Sequence, residues 1–145
     1  MNITAIHQAL EAHPALDNVA RDEETLVFRA RATLPVGAEG AAAHCGIVIQ
    51  LDPETDEIAL ISHGLGTLGP AAAPLSPLLN ITSLQVCQFG RLAIDPADDE
   101  ICYRAHVFFD AERDDAPRLL HAIVDEAVGV TAVGAGVLAK AKGRA

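Results

Sequence analysis

The 145-residue chain has no tryptophan, one tyrosine and four phenylalanines, so aromatic residues make up only 3% of it. So sparse a set (Phe28, Phe89, Tyr103, Phe108 and Phe109) cannot form a platform on which nucleobases stack. Basic residues are also scarce. Ten Lys and Arg stand against twenty Asp and Glu, a net charge of −10 that repels a phosphate backbone, so nucleic acid is excluded as a partner. Three cysteines, Cys45, Cys87 and Cys102, form no CxxC pair and suit a reducing compartment. The first residues lack the basic start and apolar run of a signal peptide, and the chain reads as cytoplasmic.

The most unusual shortage is local. From Ile58 to Gly90 there is no Asp, Glu, Lys or Arg. Gly64, Gly66, Gly69, Pro70, Pro74, Pro77 and Asn80 break any uninterrupted apolar helix of the roughly 20 residues a bilayer requires, so no membrane partner is expected. Such a tract in an acidic chain must be covered by protein. A subunit interface over part of it is expected, because symmetric dimers are the commonest assembly. A length of 145 residues suits one domain spanning 1–145.

What is present reads as alternating helices and strands. Asn2 is placed to cap a short helix whose apolar residues are Ile3, Ile6 and Leu10, ending before Pro14. Leu16–Glu24 reads as a polar turn. Thr25–Leu34 alternates, with Leu26, Phe28, Ala30, Ala32 and Leu34 on one side and Arg29 and Arg31 on the other: a strand with one wet face. Pro35–Ala43 reads as a loop. Two similar stretches follow, Ile49–Leu60 and Leu92–Tyr103, each a strand, an Asp-Pro turn with further acids, and a return strand. Neither turn has the ligand order of a calcium loop.

Centring the second hairpin between Ala97 and Asp98 sets Ile94 opposite Ile101, Leu92 opposite Tyr103 and Gly90 opposite Ala105 on the apolar side. Arg91 then faces Arg104 on the other side, with His106 beyond. With Arg29 and Arg31, four of the ten basic residues lie on outward strand positions, a candidate anion-binding set. Between the hairpins, Leu75, Leu78 and Leu79 predict a short helix that Pro77 limits to a turn or two. Near the C-terminus Asp114 or Asp115 caps a long helix with Pro117 in its first turn and a stripe of Leu119, Leu120, Ile123, Val124, Ala127 and Val128. Small residues along it, Ala127, Thr131 and Ala135 with Gly129, Gly134 and Gly136, permit close packing on a sheet.

Catalytic and cofactor signatures are missing. There is no Gly-x-Ser-x-Gly elbow, phosphate-binding loop or dinucleotide fingerprint, and the adjacent Asp125 and Glu126 diverge on a helix by about 100°. His44, Cys45, His63, Cys102 and His106 have no metal-ligand spacing. The expectation is no enzyme, no cofactor and no metal.

Pro77-Leu78-Leu79-Asn80, then Gln88-Phe89-Gly90-Arg91-Leu92-Ala93-Ile94-Asp95 and Ile101-Cys102-Tyr103-Arg104-Ala105-His106-Val107, resemble the YbjN-type putative sensory transduction regulators, which share the fold of type III secretion chaperones. That resemblance covers nearly the whole chain in element order. It implies an α+β fold: an antiparallel sheet of about five strands with N- and C-terminal helices packed on it, in the order α-β-β-β-α-β-β-α. It also implies a homodimer and a non-enzymatic role in holding a polypeptide client; Leu75, Leu78, Leu79 and Phe89, in and after the uncharged helix, are the expected dimer or client contact. A small-ligand or anion-binding regulatory module using an arginine-lined sheet face, Arg29, Arg31, Arg91 and Arg104, is the alternative.

Overall fold

The computed structural model describes residues 3–22, 24–35, 43–67 and 69–143. Asn2 and most of the Pro35–Ala43 segment lie outside the described residues. The elements run α1 (Ile3–Ala12), β1 (Leu16–Asp22), β2 (Val27–Leu34), β3 (Ala43–Asp52), β4 (Glu57–His63), a 3-10 turn at Gly69–Ala71, α2 (Ala72–Val86), β5 (Gly90–Asp95), β6 (Glu100–Phe108) and α3 (Ala116–Gly143). The fold is α+β. Its six strands form one antiparallel sheet in the order β1-β2-β3-β4-β6-β5, one strand more than the sequence suggests.

The extra strand is β1, which occupies the supposed polar turn. Its periodicity is broken because Asn18 has a φ of 53° and the register against β2 slips by one residue between Asp17 and Ala20. That bulge moves Val19 and Arg21 to the side of Leu16, so the stretch does not alternate in sequence. Backbone pairing with β2 and the Arg31–Asp17 ion pair at 3.2 Å hold it in place.

Both hairpins form where the echo in the sequence places them. Asp52 pairs with Glu57 and Asp95 with Glu100 across four-residue turns, in which Asp56 and Asp99 adopt φ values of 52° and 57°. In each, the first Asp accepts a backbone bond two residues on, from Glu54 and Ala97, before the left-handed Asp closes the turn. The second hairpin has the anticipated register, with Leu92 opposite Tyr103, Ile94 opposite Ile101 and Arg91 opposite Arg104.

The core lies between one sheet face and the helices. Phe28, Leu34, Ile47, Ile49, Ile58, Leu60, Leu92, Ile101 and Tyr103 meet Leu10 of α1 and Leu120, Ile123, Val124 and Ala127 of α3 there, all almost wholly buried. By length and composition alone α3 could cross a membrane, but this stripe is committed to the core. Its small residues do permit close approach: a Cβ on Gly134 would stand 3.1 Å from both Ile101 and Leu92.

α2 is longer than the turn or two anticipated, running 15 residues with Pro77 inside it. Pro74 falls in the first turn, where no intrahelical partner is lost, so only Pro77 removes a helical bond. Tertiary fastening offsets that loss. Leu79 is buried in the core, and Ser83 donates to the Leu79 carbonyl at 2.8 Å while accepting the Leu92 N–H at 2.8 Å. The helix thereby caps the outer edge of β5.

Candidate functional site

Among the described residues the opposite sheet face carries no helix. Cross-strand register places Arg29, Val48, Ile61, Arg104 and Arg91 in one row, since each faces the next on the neighbouring strand. The adjacent row is Val27, Gln50, Ala59 and His106, and the row on the other flank is Asp17, Arg31, Gly46 and His63. All four arginines of the candidate set therefore share this face. They are not one cluster, because Arg29 and Arg104 are separated by Val48 and Ile61, three strand spacings or about 14 Å.

This face is concave. A cavity of about 630 Å³ lies over β3, β4, β6 and β5, lined by Val48, Gln50, Ala59, Ile61, Phe89, Arg91, Arg104 and His106 among others. Its floor is apolar and its rim polar. Arg104 meets Asp95 at 3.5 Å and His106 meets Glu57 at 3.0 Å. Arg91 stands directly opposite Arg104, with no ion pair of its own among the described residues. Arg31 is engaged by Asp17 and lies outside the cavity.

The wall formed by Phe89, Gly90 and Arg91 is positioned from behind by Glu126 of α3. Its carboxylate accepts N–H bonds from Gln88 (2.6 Å), Phe89 (2.9 Å) and Gly90 (2.9 Å), and the Tyr103 hydroxyl donates to it at 2.7 Å. Burial by itself would raise the Glu126 pKa, but the bonds from Gln88, Tyr103, Phe89 and Gly90 outweigh it and leave the value lowered. Burial, followed by the bond to Glu126, pushes the Tyr103 phenol far up, so it remains a donor. Tyr103 reaches the carboxylate by passing over Gly90, where a Cβ would stand 2.6 Å from the ring carbon Cζ. In the sequence Glu126 stands only as half of a divergent acidic pair. It does diverge from Asp125, which binds His13 at 2.7 Å, and that divergence lets one helix fasten two separate segments.

A second internal link secures β6. The β4–β6 ladder ends at Ile61 and Arg104, so the Tyr103 N–H is taken instead by the Ser62 hydroxyl at 2.8 Å, which also accepts from Thr131 of α3 at 3.0 Å. Both Ser62 and Thr131 are fully buried, and each finds a partner.

The second surface is the outer side of α2. Leu78, Ile81, Leu84 and Val86 are 48%, 55%, 86% and 50% exposed on a helix without a single charge. Of the four contact residues expected from sequence, Leu78 is outward and Leu75 and Phe89 are half-buried against the core. Leu79 is corrected: at 1% exposure it anchors α2 inward and offers nothing to another molecule. Ile81 and Leu84 were missed because Pro77 suggested the helix would stop before them.

The three cysteines are free thiols. Burial raises the pKa of all three, that of Cys45 to about 11, which makes them poor nucleophiles. Among the described residues no three His, Cys, Asp or Glu side chains are grouped to hold a metal ion.

No protein-family model and no curated protein matches the chain. The chain is similar to one in the crystal structure of the ExsC-ExsE complex, at 15% sequence identity over 87% of both chains, with a TM-score of 0.48.

Proposed function

We propose that this is a non-enzymatic, cytoplasmic polypeptide-binding protein, chaperone-like in the sense of the YbjN-type resemblance, which works as a homodimer joined along the outer side of α2. One observation carries the reading. A four-turn helix fastened to the sheet edge by Leu79 and Ser83 holds Leu78, Ile81 and Leu84 outward in a chain that elsewhere coats itself in acid. An uncharged apolar row of this kind on a firm base marks a protein contact. A second copy is the occupant favoured by charge, because two uncharged helices can meet where two −10 chains would otherwise repel.

The helix is about 22 Å long, and a two-fold contact buries each side chain twice. Losing Leu84 from both copies removes about 3 kcal/mol or more, a hundredfold or larger rise in the dimer dissociation constant. Size-exclusion chromatography with light scattering at micromolar concentration should give about twice the 15.1 kDa chain mass, and Ile81→Asp/Leu84→Asp should give the single-chain mass with unchanged circular dichroism. Wild-type protein at the single-chain mass overturns the homodimer. The polypeptide-binding role is read by light scattering from a denatured reporter enzyme: suppression of its aggregation is expected, and none at equimolar protein overturns that role.

A further inference from the structure

The helix-free cavity has an electrostatic imbalance that the α2 contact does not address. Arg91 and Arg104 are cross-strand partners on adjacent strands, an unfavourable arrangement for two like charges unless an anion lies between or above them. Asp95 compensates only one of the two, at 3.5 Å from Arg104. Arg91 is thereby left as a guanidinium at the rim of a cavity with no carboxylate of its own among the described residues, in a chain whose total charge is −10. Helix α2 of another copy cannot supply the missing anion, since it has no acidic residue.

The rest of the cavity defines what would carry that anion. Val48, Ala59 and Ile61 form an apolar strip beside the arginines, and Gln50 closes the far end. From Arg104 to Gln50 the strip crosses β4 and β3, roughly 10 Å, and the volume of about 630 Å³ falls in the range of small-ligand pockets. One unpaired guanidinium matches one carboxylate. A nucleotide polyphosphate would bring several, and Phe89 is the single aromatic in the lining against which a base could stack.

We propose that this concave face binds a small monocarboxylate with an apolar body about six to ten carbons long, its carboxylate held by Arg91 and Arg104 and its body lying on Val48, Ala59 and Ile61. The guanidinium fork of Arg91 suits bidentate contact with a carboxylate. The site is independent of the α2 contact: dimer mass reports one and ligand binding the other.

Octanoate is the probe, titrated calorimetrically into the full chain, with acetate, octanol and inorganic phosphate in parallel. Octanoate should bind saturably, one per chain, while acetate lacks the body and octanol the charge, so each should bind at least about tenfold more weakly. Arg91→Ala should lower octanoate affinity by about tenfold or more, and Ile61→Asn should do so without altering the charge. Circular dichroism and unfolding curves confirm that both variants fold. No binding of octanoate at roughly 5 mM, equal binding of acetate or phosphate, or an Arg91→Ala variant within about twofold of wild type each overturns the proposal.

Discussion

Replacing Glu126 by Gln keeps the shape of the side chain and removes its charge, which isolates what the carboxylate does. In the native protein its two oxygens serve three consecutive N–H groups and a phenol, at 2.6 to 2.9 Å for the shortest bond of each. A glutamine amide retains one acceptor and turns an NH2 toward donors. Hydrogen bonds to a charged group contribute about 1.5–3 kcal/mol and neutral ones about 0.5–1.5, so converting two or three of these bonds, in a partly exposed setting, costs about 2 kcal/mol. With a urea slope of about 2 kcal/mol per molar for a domain of this size, the unfolding midpoint should fall by roughly 1 M at pH 7. The effect also has a signed pH dependence. The folded-state pKa of Glu126 lies below its ordinary value of 4.5, so its contribution is complete above pH 4.5 and is lost as pH falls through the folded value. Glutamine does not titrate. The gap between wild type and Glu126→Gln should therefore narrow as pH drops from 7 to about 3. Equal midpoints at pH 7, or a gap that holds constant down to pH 3, would show that the charge is not what secures the wall of the cavity.

The glycines of α3 separate close approach from open surface. Gly134→Val should destabilise by about 1–3 kcal/mol, because its Cβ would already stand 3.1 Å from Ile101 and Leu92, whereas Gly129→Ala, with nothing within 4 Å, should stabilise by about 0.5–1 kcal/mol in the same unfolding assay. Ser83→Ala leaves the Leu92 N–H without its 2.8 Å partner on the β5 edge. A loss of about 1–3 kcal/mol is expected, with faster amide exchange at Leu92 than elsewhere in β5, and unchanged protection there would refute the edge-capping role.

The hairpins were legible because their determinants are local. Asp-Pro followed by acids at fixed offsets sets the turns, and the alternation of Leu92, Ile94, Ile101 and Tyr103 sets the register, so the opposition of Arg91 and Arg104 follows from sequence alone. Likewise the periodicity of Leu120, Ile123, Val124 and Ala127 identifies the buried face of α3. Strand β1 was not legible, because its pairing answers a need of β2 and its bulge at Asn18 scrambles the period of two. The length of α2 was misjudged for a related reason: the deficit at Pro77 is local, but Leu79 and Ser83 offset it through contacts distant in sequence.

For function the division is the same. The sequence by itself determined that residues 58–90 carry no charge and that four arginines point away from the core, since both follow from composition and strand alternation. Only the tertiary structure decided which of those residues act together. The order β3-β4-β6-β5 brings Val48, Ile61, Arg104 and Arg91 into one concave row and leaves Arg31 outside it, engaged by Asp17. The fastening of α2 likewise turns Leu79 inward and Leu84 outward, and the fold of α3 onto the sheet puts Glu126 behind residues 88–90. Gly90 and Glu126, 36 positions apart, and Ile61 and Arg104, 43 apart, become neighbours only through strand pairing and core burial, and no local pattern encodes that proximity.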